Sequence, residues 1–469
     1  MSPPENPFAG LQVPVELLEK YDRPGPRYTS YPTAPVWSEE FGPAAQEAAL
    51  RGLPEGRGLS LYLHLPFCAE RCSFCGCSVI ITPKRSLAGP YVDRILAEME
   101  LVAARLPGLP SRPVRQIHWG GGTPTFLDAD GIRRLGEGTA RIFAVAEDAE
   151  VSVEVDPRVT TAEQLEALRA AGFNRLSMGI QDFDPRVQEA VRRIQPEEMT
   201  RALFEEGRRL GFESINVDLI YGLPFQTRES FAMSVERILD MGPDRIALFS
   251  YAHVPWIKPH QTRFSDEDLP AGAAKFAIFR EALGALTGDG YEFIGLDHFA
   301  RPDDELARQR REGGLHRNFQ GYSTHGGLDL IGFGVTAISG FERSYAQNLK
   351  KLSEYYRRVE GGGLATLRGI RLGDEDLLRR RVISDLMCHS RLDFRAIEGD
   401  FGVRFESHFA PELEELRGLE RDGLLALSSE SIEGTALGRI FIRNICMVFD
   451  EHLQRPADTP GSPVYSRTI

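Results

Sequence analysis

The decapeptide Cys68-Ala-Glu-Arg-Cys72-Ser-Phe-Cys75-Gly-Cys77 holds four of the six cysteines of this chain. Thiolates crowded onto one loop repel one another and gain nothing in packing, so a metal or a redox reaction is the physical default. Zinc usually draws two Cys-x₂-Cys or His-x₃-His pairs from separate turns, and no second pair exists here, because Cys388 and Cys446 are isolated. The spacing Cys-x₃-Cys-x₂-Cys at Cys68, Cys72 and Cys75 instead lets one loop wrap three corners of a [4Fe–4S] cube. With no remote fourth ligand, the last iron stays open for chemistry. A zinc knuckle or a redox-sensing disulfide is the alternative. Cys77 sits awkwardly close to Cys75 for the same cube, and the spacing leaves it as a spare ligand, a hydrogen donor or a packing group.

Such a loop needs a rigid mount. From about residue 60 to 255, strand-like runs alternate with amphipathic helical ones: Leu61–Leu65, Gln116–Trp119, Val151–Val155, Arg175–Ile180, Ile215–Tyr221 and Arg245–Tyr251. Between them lie helices such as Tyr91–Leu106, whose Tyr91, Ile95, Met99, Val102 and Leu106 recur every three or four positions. Repeated β/α units imply a parallel sheet with outer helices, since a parallel crossover needs a helix-length connection. Six units rather than eight predict an α/β fold of open, partial (β/α)₆ TIM-like form. In such folds the site lies at the carboxyl ends of the strands. There stand the cysteines, Gly120–Thr125, Glu154, Gln181, Asp218, Tyr221 and Tyr251-Ala-His253.

Gly120-Gly-Gly-Thr-Pro-Thr125 is either a tight turn or a loop whose bare backbone approaches a ligand and offers it carbonyl acceptors. Glu154 and Asp218 end strands that otherwise look buried, where a carboxylate is costly unless paired. Ribose hydroxyls, a cationic sulfonium or a neighbouring arginine would each serve. Gly332-Phe-Gly-Val-Thr-Ala337 nominally matches G-x-G-x-x-A, but no clear βαβ unit surrounds it. The ten histidines form no His-Glu-x-x-His pattern, and no phosphate-binding Gly-x-x-x-x-Gly-Lys-Ser/Thr loop occurs.

At 469 residues the chain suits a large catalytic domain with an appendage. We read an N-terminal arm over 1–55, a barrel with its extension over 56–360, and a small, mainly helical domain over 365–469. Composition is that of a soluble protein, 42% hydrophobic and 26% charged, with no apolar run near the roughly 18 residues a membrane span needs. The start Met-Ser-Pro-Pro-Glu-Asn-Pro has neither a basic nor an apolar leader region, which predicts a reducing, cytoplasmic setting. The net charge of −13 speaks against a nucleic-acid partner, and no basic block tracks phosphates.

After residue 365 we expect helices at 374–388 and 403–420, a hairpin around Leu424–Ile432 and a last helix at 435–453. That order could pass for a winged helix. Residues 394–423 nevertheless carry eight acidic against four basic side chains, the wrong sign for a DNA face, so a lid or substrate-handling role is expected. The basic, proline-rich arm Asp22-Arg-Pro-Gly-Pro-Arg27-Tyr-Thr-Ser-Tyr-Pro-Thr33 is either packing or a strap over the barrel mouth. In the second case Arg23 and Arg27 are expected to meet substrate carboxylates.

The cysteine loop, with Phe74 before its third cysteine, resembles that of the radical S-adenosylmethionine (SAM) superfamily. Further matches resemble one family within it, oxygen-independent coproporphyrinogen III oxidase (dehydrogenase). They are Tyr28–Thr33, Tyr62-Leu-His-Leu-Pro-Phe-Cys68, Cys77, Gly120–Thr125, Glu154-Val-Asp-Pro157, Ser177–Phe183, Asp218–Pro224, Tyr251–His253, Asp297–Pro302, Asn318-Phe-Gln-Gly-Tyr322 and Arg443-Asn-Ile-Cys446. The resemblance spans almost the whole chain. It implies a radical SAM barrel and a [4Fe–4S] cluster on Cys68, Cys72 and Cys75, with SAM chelating the open iron. It also implies two SAM molecules: one held by Tyr62, Gly121 and Glu154, the other by Phe74, Gly122, Thr123, Gln181, Arg193, Asp218, Ala252 and Ile338. The implied reaction turns two propionates of coproporphyrinogen III into vinyls by way of a 5′-deoxyadenosyl radical, giving protoporphyrinogen IX. A flavodoxin or ferredoxin would donate electrons, an acceptor of unknown identity would take them up, and the protein would be a monomer. The rival reading is a haem-binding chaperone on the same barrel, whose members lack the Tyr-x-x-Tyr-Pro-Thr arm and usually the fourth cysteine.

Overall fold

Six strands between residues 59 and 250 run parallel because a helix returns the chain after each: β1 Leu59–Leu65, β2 Val114–Gly121, β3 Val145–Val155, β4 Arg175–Gln181, β5 Ser214–Tyr221 and β6 Arg245–Ser250. This computed structural model describes residues 6–8, 10–453 and 465–468. The readings for 1–55 and 365–469 also cover 1–5, 9, 454–464 and 469, which lie outside the described residues.

Local signals place the helices. Residues Ala162–Ala170 start at a capping box between Thr161 and Gln164, and Arg228–Met241 ends at Gly242 with φ 66°, a left-handed stop that favours glycine. The helix expected at Tyr91–Leu106 runs from Ala88 to Ala103 and buries Tyr91, Val92, Ile95, Met99 and Val102. Each strand then divides its residues by parity. Leu61, Leu63, Val153, Met178, Val217 and Leu219 are fully buried under the helices, each stabilising by about 1.5–3 kcal/mol. The alternate positions, Tyr62, His118, Ser152, Glu154, Ser177, Asn216 and Asp218, are half-buried and share the other face, the barrel interior.

The sheet continues past the six strands. On one edge β7 Glu292–Gly295 and β8 His298–Ala300 add antiparallel to β6, in the order β6-β8-β7. On the other, β9 Asp329–Phe333 lies parallel to β1, and β10 Ile338–Phe341, β11 Ser344–Asn348 and β12 Thr366–Arg371 follow antiparallel. The chain thus stays in the large sheet as far as Arg371, beyond residue 365. After β9 comes another strand rather than a helix, so Gly332–Ala337 lacks the βαβ setting of a dinucleotide fingerprint.

Beyond Asp374 stands a helix to His389, then a three-stranded antiparallel sheet of Arg391–Asp393, Ser431–Gly434 and Leu425–Leu427. The single helix expected at 403–420 is instead two, Phe405–His408 and Ala410–Arg421, divided at Phe409 just before Pro411. A further helix, Phe394–Phe401, capped by Asp393 and stopped by Gly402 at φ 68°, precedes them. The helix expected at 435–453 is likewise short and broken, as Ala436–Ile440 and Ile442–Met447. This unit and the arm are tied to the end of the barrel. Arg443 Nε donates to the Pro26 carbonyl (2.9 Å), Tyr28 Oη to Asp450 (3.0 Å), and Tyr322 Oη to the Met387 carbonyl (2.9 Å).

One buried carboxyl makes the fold sensitive to pH. Glu98 accepts from Gly334 N (2.7 Å), Asn348 Nδ2 (2.6 Å) and Tyr355 Oη (2.8 Å), and burial raises its pKa to about 7. The folded protein holds this proton more tightly than the unfolded chain does. The contribution is therefore full below the unfolded value of 4.5 and is lost as pH rises through 7. Relative to Glu98→Gln, the wild-type protein should lose up to about 3 kcal/mol across that window, read by urea unfolding at a series of pH values. Parallel stability profiles for the two proteins would refute the assignment.

Candidate active site at the carboxyl end of the barrel

The cysteine loop is fastened at its base and on two flanks. Phe67–Cys68 pairs in parallel with Ile80–Ile81, and Thr82 N donates to the Cys68 carbonyl (2.9 Å), pinching the loop between them. Ser73 N donates to the Val191 carbonyl (2.9 Å), which ties the loop to the segment after β4. From the segment after β6, His260 Nε2 bonds the Cys75 carbonyl (2.8 Å), and Gln261 Nε2 donates to the carbonyls of Phe74 (3.1 Å) and Ala252 (3.2 Å). These partners turn a stretch of irregular backbone into a rigid mount.

The thiols differ in surroundings. Cys72 is buried, Cys68 and Cys75 are half-buried, and Cys77 is exposed. Cys72 Sγ faces two guanidinium groups, Arg158 Nη2 at 3.5 Å and Arg193 Nη1 at 3.6 Å. Asp156 orients both through ion pairs of 2.7 and 3.1 Å. Burial pushes the Cys68 thiol up to about 11, while a hydrogen bond from Cys77 draws Cys75 down to about 6. Three thiols on one braced loop, one of them facing cations, form a donor set that fits an iron–sulfur cluster with one open iron.

The glycine loop packs on the stem of this mount. Gly122 N donates to the Leu65 carbonyl (2.8 Å) and Thr123 N to the Phe67 carbonyl (2.9 Å), while Thr123 Oγ1 lies 3.4 Å from Cys68 Sγ. A Cβ on Gly121, where φ is 114°, would stand 2.5 Å from the His64 ring, and one on Gly122 would stand 2.6 Å from the Pro66 backbone. Gly120–Gly122 are thus glycines because neighbouring atoms occupy the space of a side chain.

Carboxylates of opposite disposition face the same interior. Burial works against the Glu154 charge, but His118 Nε2 (3.4 Å) and Gly121 N (3.0 Å) bond its oxygens, and its pKa lies below the usual carboxylate range. Asp218 is raised to about 7 by burial and by the Glu154 charge, against bonds from Asn216 Nδ2 (2.7 Å) and Ser177 Oγ (3.4 Å). Near neutral pH one can accept as an anion while the other is divided between acid and anion.

A cavity of about 980 Å³ joins these parts. Of the residues expected from sequence, Cys68, Cys72, Phe74, Cys75, Gly121, Gly122, Thr123, Glu154, Gln181, Arg193 and Asp218 line it. Arg193 also holds the Gly179 carbonyl (2.6 Å), and Gln181 takes φ 73° at the strand end. Tyr62 reaches the same region through its hydroxyl, 2.9 Å from His64 Nδ1, and its ring stacks on His118 at 5.9 Å. Ala252 lies beside Phe74 through their shared partner Gln261. Ile338 packs instead against the cluster of Trp37, Tyr345 and Leu372. Arg23 is exposed on the arm, and Arg27 is paired with Asp297. Sequence reasoning missed Asp156, Arg158, His260 and Gln261; the only signal was Glu154-Val-Asp-Pro157, read as a motif without a role for its Asp.

The radical SAM superfamily profile matches residues 62–238, and that of the HemN C-terminal domain matches 372–441. The chain is 50% identical over 443 residues to the oxygen-independent coproporphyrinogen III oxidase of Salmonella typhimurium, covering 94% of this chain and 96% of that one. The Synechocystis protein of the same name is 43% identical over 467 residues, covering 98% and 99%. Among solved structures, the coproporphyrinogen III oxidase HemN from Escherichia coli superposes with a TM-score of 0.89 at 48% identity, covering 94% of this chain and 99% of that one. Identity of this order along nearly the full length, over a barrel that brings the three-cysteine loop, the glycine turn and Glu154 to one cavity, places the chain in the oxygen-independent coproporphyrinogen III oxidase family of the radical SAM superfamily.

Proposed function

We propose that this chain oxidatively decarboxylates two propionate side chains of coproporphyrinogen III to vinyls without oxygen, giving protoporphyrinogen IX and two molecules of carbon dioxide in haem biosynthesis. The observation that carries this reading is the end-to-end match to oxidases of that name. The cavity supports it: about 980 Å³ lies at the upper end of the roughly 300–1,000 Å³ common for ligand pockets, as a tetrapyrrole beside SAM requires.

Cys68, Cys72 and Cys75 would hold the cluster, with Arg158 and Arg193 offsetting the charge of Cys72. When bound there, the reduced cluster would supply the electron for cleavage of SAM, and with it the radical chemistry needed to remove a hydrogen atom from the ring-attached propionate carbon. For each propionate the carboxylate then leaves as carbon dioxide and one electron passes to an acceptor, so the carbon chain is oxidised by two electrons in all. The protein's work is to bind, orient and shield. Glu154, held ionised, accepts from the SAM amino group, Gly121 offers backbone at close range, and Tyr62 is oriented by His64. Phe74, Gly122, Thr123, Gln181, Arg193, Asp218, Ala252 and Ile338 are the proposed contacts of a second SAM. An arm over 1–55, a barrel with its extension and a C-terminal unit beginning after Arg371 divide this labour. A flavodoxin or ferredoxin is the proposed electron donor, to a cytoplasmic monomer. Among the described residues, no helix is long and apolar enough to cross a membrane.

Anaerobically reconstituted protein, given SAM, a reductant, an electron acceptor and coproporphyrinogen III, should yield protoporphyrinogen IX together with 5′-deoxyadenosine. An intact cluster with tight haem binding and no vinyl product would overturn the assignment in favour of a haem carrier. Glu154→Gln should keep its iron yet bind SAM about 10- to 100-fold more weakly, the loss of one charge-assisted hydrogen bond of about 1.5–3 kcal/mol. Titrating SAM into the reduced cluster and following its electron paramagnetic resonance spectrum checks this.

A further inference from the structure

At the end of the cavity formed by β8 and the hairpin of His316–Asn318 with Gly321–Ser323, positive charge exceeds its counter-charge. His298 stands among Arg27, Arg245 and Arg317, and burial with these charges drives its ring down to about 3, so it is neutral. Two of the three arginines have a carboxylate: Arg27 pairs with Asp297, and Arg245 Nε bonds both oxygens of Asp304 at 2.9 and 3.0 Å. A fourth guanidinium in the group, Arg443, is engaged by the backbone carbonyls of Gly25, Pro26 and Arg467. Arg317 has neither. Its Nε and Nη1 are buried and bond nothing among the described residues, and its only contact of note is the Tyr322 ring, 4.7 Å away. Beside it, Gln320 Nε2 and His298 Nδ1 are likewise buried without a partner. His298, Gln320 and Tyr322 line the cavity, and Arg317, which does not, stands next to it against the Tyr322 ring.

A buried guanidinium with Nε and Nη1 both unbonded is costly on its own, and each of these shares an edge with Nη2, so that either edge of the fork matches the two oxygens of a carboxylate. We propose that Arg317, with Gln320 beside it, anchors a substrate carboxylate, a propionate remote from the one that reacts, and so fixes which way round the tetrapyrrole lies. This rests on the coproporphyrinogen reading above. Arg317 is the one guanidinium of these four bonded by neither a carboxylate nor a carbonyl among the described residues.

The test uses the full-length holoprotein and two probes, coproporphyrin III and its tetramethyl ester, with binding followed by porphyrin fluorescence. Arg317→Gln should weaken the tetra-acid at least tenfold while changing the ester less than about twofold, and Arg317→Lys should recover part of the loss. In turnover KM should rise more than kcat falls, and the cluster spectrum and substrate-free SAM cleavage should be unchanged. Unaltered tetra-acid binding by Arg317→Gln would overturn the proposal, as would an equal loss of acid and ester. If the wild-type protein itself neither binds the tetra-acid nor converts coproporphyrinogen III, the broader functional reading falls and this one with it. That failure shows in the wild type, before any variant is made.

Discussion

Cys72→Ala is expected to purify as a folded protein that cannot retain its cluster, with SAM cleavage reduced at least a thousandfold, some 4 kcal/mol of lost rate acceleration. The fold should survive because the loop does not depend on its thiols for position. It is pinned at its base by the Phe67–Cys68 and Ile80–Ile81 pairing and held on its flanks by Val191, His260 and Gln261. Of the three proposed ligands, Cys72 is the buried one and the one that faces Arg158 and Arg193. Its removal leaves those cations turned toward an empty corner. Cys77→Ser makes the matched control. Cys77 is exposed and lies beside Cys75, so its replacement should leave iron content near the wild-type level. Iron and sulfide content, the visible absorption band and circular dichroism on both variants decide the matter. A Cys72→Ala protein that still binds a full complement of iron would remove Cys72 from the ligand set, and iron loss in Cys77→Ser would admit a fourth ligand.

The barrel was legible because its strands obey a period of two and its helices a period near 3.6, and both survive in a single sequence. Each of the six strands expected between residues 60 and 255 is present, with ends shifted by a few residues, as for β3, which begins at Val145 rather than Val151. The site was legible for a related reason: once the strand ends are known, Glu154, Gln181 and Asp218 must share one rim. The C-terminal unit was harder. Its helices are short, and the break at Phe409–Pro411 and the stop at Gly402 interrupt an amphipathic pattern that runs on across them. Residues that act through long-range contacts were not legible at all. His260 and Gln261 matter because the segment after β6 folds back on the cysteine loop. Arg317 draws notice only because its neighbours in space are bonded by carboxylates or carbonyls and it is bonded by neither, a fact of tertiary structure to which no local pattern points.

Gly122→Ala should be the second most damaging single change, although it adds one methyl group. The new Cβ would stand 2.6 Å from both the carbonyl carbon and oxygen of Pro66 and 2.8 Å from the Phe67 oxygen. These are backbone atoms at the stem of the cysteine loop, so no side chain can swing aside to make room. Either the stem or the glycine loop must move. The hydrogen bonds at stake are Gly122 N to Leu65 O (2.8 Å) and Thr123 N to Phe67 O (2.9 Å), which set the glycine loop against the mount. Overpacking of this kind costs about 1–3 kcal/mol, enough to lower the melting temperature by a few degrees without unfolding the barrel. The functional loss should be larger than the structural one. A displacement near 1 Å between reacting groups can cost about a hundredfold in rate, and here the loop proposed to hold SAM shifts against the loop proposed to hold iron. Gly122→Ala should therefore keep most of its iron, melt slightly early and cleave SAM at least a hundredfold more slowly, whereas Gly56→Ala, on an exposed turn with nothing within 4 Å of its Cβ, should affect folding alone. Normal SAM cleavage by Gly122→Ala would show that the glycine loop acts as a turn and not as part of the site.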